Sequence, residues 1–202
     1  MKDYSKQNNE RIVKNTLTLY VRTALVMLVS LFTSRVVLSA LGIEDYGIYN
    51  IVGGVVVMFS VVSGALSASI SRFITFELGR ADMRKLRRIF STSINIQVGI
   101  SLLILILGET VGIWFLNYKM NIPLDRLEAA NWVLQCSLIT FVINLVSVPY
   151  NAVIIAHEKM SAFAYVSILE VILKLLIAYL LYISIWDKLV VYSLLLVLVA
   201  MT

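Results

Sequence analysis

The sequence has almost none of the residues that hold small secreted folds or catalytic centres together. A single cysteine, Cys136, excludes a disulfide framework and a cysteine-based metal site. The only histidine, His157, stands beside Glu158 and Lys159 and reads as an ordinary residue at the inner end of an apolar run. Glycine loops that cradle phosphate, HExxH and GxSxG are absent, so no residue set calls for a cofactor, a metal or the centre of an enzyme. Charged residues make up only 14% of the chain, too few to solvate the surface of an ordinary soluble domain.

Apolar sequence is there instead. Hydrophobic residues are 60% of the total and the mean hydropathy is +0.90, which makes the class an all-α, polytopic membrane protein. The first fourteen residues are polar, and the apolar run after them is too long for a signal peptide. We expect a tail over 1–15 and a membrane domain over 16–202. Its spans lie at 16–41, 45–71, 91–118, 129–156 and 161–184, each long enough for ~30 Å of hydrocarbon. Residues 189–202 open a sixth helix but fall short of the ~20 residues needed to cross. The expectation is therefore the six-helix N-terminal lobe of a longer, truncated chain.

Lysine and arginine set the orientation. Lys2, Lys6, Arg11, Lys14, Arg72, Arg80, Arg84, Lys85, Arg87, Arg88 and Lys159 fall on one side of this topology, against Lys119, Arg126 and Lys188 on the other. That bias predicts a cytoplasmic N-terminus. It also assigns the net charge of +5 to anionic membrane lipids rather than to nucleic acid. Within 72–88, Asp82 is expected to cap a short interfacial helix with Met83, Leu86 and Phe90 on its apolar side.

The corner between the first two spans has the most specific wording. Gly42 suits the left-handed position past a helix end, Asp45 the next N-cap, and Tyr46 and Tyr49 an interfacial aromatic belt. In the second span, Ser60, Gly64 and Ala68, and Ser63, Ser67 and Ser71, recur at four-residue spacing, which predicts close helix packing. The sequence Leu41-Gly42-x-x-x-Tyr46-Gly47-x-Tyr49, with Arg35 six residues upstream, resembles the polysaccharide-transporter family of oligosaccharide-lipid flippases. Ser67-Ala68-Ser69-Ile70-Ser71-Arg72-Phe73 is similar to that family as well, and the resemblance runs over about 10–185. It implies two six-helix lobes around a cationic central cavity. Its cargo would be an undecaprenyl-diphosphate-linked oligosaccharide, carried across the bacterial inner membrane for O-antigen, capsule or exopolysaccharide. A drug/cation antiporter of the multidrug-extrusion type, a peptidoglycan-precursor flippase, an integral-membrane polymerase or ligase and an inactive truncated product are the other readings.

Charges inside spans are the candidate site residues, because each is expensive in hydrocarbon. Arg22 and Arg35 flank a hydroxyl stripe of Thr16, Thr23, Ser30 and Ser34. They either snorkel to headgroups or bind the diphosphate of a lipid-linked oligosaccharide. Glu170 and Lys174 have the favourable i,i+4 order, either as a structural pair or as an ion-coupling site. Ser137, Thr140, Asn144, Ser147 and Asn151 share one face within about 80°. Of these, Thr140, Asn144 and Ser147 line a cavity or, on the favoured reading, knit the lobe by interhelical hydrogen bonds. Pro149 frees the Leu145 carbonyl and predicts a kink.

Overall fold

A computed structural model describes residues 2–157 and 159–202, and the side chains of 2–12, 14 and 62 lie outside that description. The basic tail's Lys2, Lys6, Arg11 and Lys14 are therefore outside it, as is Glu158. Among the described residues there is no strand. The helices are α1 (Lys2–Val57), α2 (Ser60–Gly79), α3 (Met83–Leu107), α4 (Ile113–Tyr118), α5 (Leu127–Ala156), α6 (Met160–Leu180) and α7 (Lys188–Ala200). Four stretches are long and apolar enough to cross a membrane: Asn15–Val57, Met83–Tyr118, Leu127–Ala156 and Met160–Leu180.

α1 is two helices joined at Gly42, whose φ of 84° and ψ of 172° are non-helical. Only glycine takes such a φ without strain. The chain reverses there. Ser30 and Asn50 line one cavity, whereas an unbroken helix would set them ~30 Å apart. The arms 2–41 and 43–57 thus form a hairpin. The second pass then breaks at Met58–Phe59 and resumes as α2, which runs to Gly79, well beyond the expected limit at 71.

No separate interfacial helix forms over 72–88. Asp82 does cap a helix, accepting from the Lys85 N–H at 3.1 Å, but that helix is α3, which continues into the third span. The pattern that suggested a short amphipathic helix is the charged, exposed first turns of a long one. α3 passes through a π turn, Gly108–Gly112, into α4. A Cβ on Gly108 would lie 2.5 Å from Leu138 Cδ2, so glycine is what lets α5 sit this close to the π turn.

α5 is the hub, touching α1, α2, α3, α4, α6 and α7. Ala129 and Ala130 keep its first turns slim, and Leu134, Leu138 and Leu145 are sealed between neighbours. In a bilayer the lipid tails are as apolar as these leucines. What holds the helices is therefore close packing more than expulsion of water. Pro149 is fully buried and α5 is helical on both sides of it. The Ser60/Gly64/Ala68 row, expected to pack, is exposed, and a Cβ added at Gly64 would meet no other helix within 4 Å. α2 meets its neighbours through Ile70 and Ile74 instead.

Candidate functional site

The Gly42 reversal assembles the first part of the site. Ser30, Thr33 and Ser34 from the first arm face Tyr46, Tyr49 and Asn50 from the second across a cavity of ≈ 210 Å³. Val171 and Lys174 of α6 and Tyr192 of α7 close it. Thr33 Oγ1 and Ser34 Oγ each donate to the carbonyl four residues back, at 2.8 and 3.0 Å, leaving their lone pairs as acceptors.

A second cavity of ≈ 220 Å³ lies on the other side of Tyr49, among α1, α2, α5 and α7. Ser137, Thr140 and Asn144 supply one polar wall, Ser60 and Ser193 another, and Phe141 an aromatic one. Tyr49 lines both cavities, with its ring centroid 5.0 Å from that of Tyr192 in an edge contact. The tyrosines expected in an interfacial belt thus face the interior of the lobe. The reversal at Gly42 turns the start of the second arm back against α7.

Of the two roles open to the α5 stripe, the positions of its residues favour the cavity wall. Among the described residues Thr140 and Asn144 make no interhelical hydrogen bond, and both line the second cavity. Ser147 is satisfied within its own helix, donating to the Ile143 carbonyl at 2.9 Å. Hydroxyl and amide groups at three- and four-residue spacing show a polar face, and the spacing alone does not say whether a helix or a space lies opposite.

Glu170 and Lys174 form an ion pair, Nζ to Oε1 at 2.6 Å, with both side chains partly exposed. Among the described residues Lys174 is the one charged residue lining either cavity, and its ion-pair partner Glu170 lines neither. Arg22 and Arg35 line neither. The Arg22 guanidinium lies 4.3 Å from the Phe163 ring centroid on α6, a cation–π contact, and its buried Nε has no hydrogen-bond partner. Arg35 is exposed and has no ion-pair partner among the described residues. Thirteen residues of helix put the two ~20 Å apart, so one diphosphate cannot touch both at once.

The sequence reading missed a clamp beside this site. Arg126 bridges three connections, donating from Nη2 to Asp45 Oδ2 and from Nη1 to Asp187 Oδ2, both at 2.7 Å. Asp45 therefore serves the clamp and not the N-cap assigned to it. Asp187 caps α7 through Oδ1, and Lys188 Nζ donates to the Ala40 carbonyl at 3.3 Å. One signal was available in the sequence: these charges stand at span ends on one side of the topology. Farther from the cavities, Gln135 Nε2 donates to Glu109 Oε2 at 3.0 Å. Gln97 is completely buried, with neither amide atom paired, and the buried Ser101 hydroxyl is unpaired too.

A family model described as MatE matches residues 19–180. No curated protein and no solved structure matches the chain significantly. The matched stretch holds the first arm of the Gly42 hairpin from residue 19 on, the whole second arm, the α5 stripe and the Glu170–Lys174 pair, leaving only the α7 wall of the cavities outside. Members of that family are membrane transporters. On this match the chain belongs to the MatE family, within the multidrug/oligosaccharidyl-lipid/polysaccharide exporter superfamily.

Proposed function

We propose that this protein is a lobe of a flippase that moves undecaprenyl-diphosphate-linked oligosaccharide across the bacterial inner membrane for surface polysaccharide synthesis. Its N-terminus is cytoplasmic, and a second six-helix lobe faces it, with the substrate passing between the two by alternating access. The make-up of the two cavities carries the reading. Hydroxyl, amide and tyrosine groups line them, and no Asp or Glu does among the described residues. Such groups exchange hydrogen bonds with sugar hydroxyls at little cost in desolvated charge. Arg35, unpaired and adjacent to the cavity residue Ser34, offers the planar donor fork that a diphosphate accepts. Arg22, held over Phe163, meets the anion at a different depth.

A second reading, a drug/cation antiporter, is favoured by Glu170. An acid inside a span, compensated at 2.6 Å by the cavity residue Lys174, is where a cation or proton would be exchanged. Complementation of a flippase-null strain by the intact protein separates the two. For a flippase, Arg35→Ala abolishes surface polysaccharide at normal membrane levels, Arg35→Lys falls short of wild type, and Glu170→Gln with Lys174→Gln is tolerated. Normal polysaccharide from Arg35→Ala would remove Arg35 from the mechanism. Ethidium efflux that disappears with the Glu170/Lys174 double change would favour the antiporter.

A further inference from the structure

At the end of the molecule marked by the 80–82 turn, a groove of ≈ 500 Å³ runs along the seam between α3 and α5. Met83, Leu86 and Phe90 form one wall, Tyr150 and Ile154 the other, and Arg87 stands at its edge. The Phe90 and Tyr150 rings meet edge to face, with centroids 5.3 Å apart at 89°. Leu86 and Phe90 also pack on a sealed cluster of Ile70, Ile74 and Ala152, so the groove has a fixed back. From Met83 to Phe90 it offers about 10 Å of apolar length along the helix axis.

The charges beside it are unspent. Lys85 is engaged by Asp82 at 3.7 Å, and Arg80 lies over the Phe76 ring at 5.4 Å. Arg84, Arg87 and Arg88 are exposed and have no acidic partner among the described residues. At 100° per residue they fan over about 100° of the α3 surface, starting from the groove's edge. The positive N-terminal end of α3 adds to their field. An apolar slot with a three-arginine rim matches a molecule with an acyl chain and a phosphate at its head.

We propose that this groove is a binding site for an anionic glycerophospholipid, with one acyl chain between α3 and α5 and the phosphate on Arg87, Arg84 and Arg88. The ligand is a resident lipid and not the transported substrate. The groove lies on a different face of α5 from the Ser137/Thr140/Asn144 wall, about a third of a turn around the helix. Ordinary boundary lipid needs only the apolar surface. A site with an arginine rim discriminates by headgroup, and that difference is measurable.

The test is native mass spectrometry of the purified intact protein, titrated with phosphatidylglycerol, phosphatidylethanolamine or undecaprenyl phosphate. Wild type is expected to retain one phosphatidylglycerol at least tenfold more tightly than phosphatidylethanolamine. The triple change Arg84→Gln, Arg87→Gln, Arg88→Gln abolishes the preference while leaving the lipid-free melting temperature unchanged, because all three side chains are exposed. Ile154→Trp fills the slot and weakens phosphatidylglycerol with the rim intact. Equal retention of the two phospholipids by wild type, or a preference that survives the triple change, would overturn the site. Retention of undecaprenyl phosphate in place of phosphatidylglycerol would also overturn it, by making the groove a substrate entry.

Discussion

Arg126→Ala unties three connections with one change, and its cost can be worked arm by arm. The arm to Asp187 joins side chains that are 31% and 37% exposed, where solvent screening leaves an ion pair about 0–1 kcal/mol. Asp187 also keeps its other partners, the Leu189 and Val190 N–H groups. The arm to Asp45 is different. The Asp45 side chain is 7% exposed and its Oδ1 has no partner already, so losing Arg126 leaves a buried carboxylate with nothing to compensate it. Removing one member of a buried pair costs about 3–5 kcal/mol, because the partner's desolvation is no longer offset. Nearly all of the loss should therefore pass through Asp45.

Asp45→Asn in the Arg126→Ala background removes the stranded charge and should recover most of the stability. Asp187→Asn in the same background should recover none. Thermal unfolding of the purified protein in mild detergent, run on the four members of each cycle, reads the coupling directly. A coupling of 2 kcal/mol or more for Arg126–Asp45, and under 1 kcal/mol for Arg126–Asp187, is expected. The reasoning fails if Arg126→Ala melts within 1 kcal/mol of wild type, or if the two aspartates rescue equally.

Other outcomes follow from single contacts. Gly108→Ala drives a methyl to within 2.5 Å of Leu138 and should cost about 1–3 kcal/mol in unfolding experiments, and clearly less when introduced into a Leu138→Ala background. Gln97→Leu replaces a fully buried amide with no partner by an apolar side chain of similar size. It should leave stability unchanged or raise it by about 1 kcal/mol, and a clear loss would show that the amide has a partner in the membrane. Impermeant thiol reagents should label Glu44→Cys and Asp125→Cys from outside intact cells and miss Arg84→Cys; labelling of Arg84→Cys would invert the topology.

The sequence disclosed whatever rests on local chemistry. A glycine at a helix break, an aspartate three residues before the N–H it accepts from, and a glutamate four residues before a lysine are each complete within one turn of chain. Gly42, Asp82 and the Glu170–Lys174 pair were legible for that reason. The clamp was not, because Arg126 stands 81 and 61 residues from its partners and nothing in a single sequence pairs them. The helix expected over 72–88 failed for a related reason. Cations on the first turns of α3 look amphipathic in a short window, and only the uninterrupted helix that follows shows them to be one end of a span.

The polar residues inside spans mark the deeper limit. In a soluble protein the period of apolar residues separates core from water, so a polar face has one meaning. In a bilayer the lipid and the neighbouring helices are equally apolar, and hydropathy no longer distinguishes inside from outside. Gln97 and Asn144 are both carboxamides in apolar runs, each on a stripe of hydroxyl residues three or four apart. Gln97 ends wholly buried with neither amide atom paired, while Asn144 opens onto a cavity. The second cavity owes its other walls to Ser60 on α2 and Ser193 on α7, residues 84 and 49 positions from Asn144. The chemistry of the stripe was therefore readable from α5 alone, but its use depended on how distant helices pack.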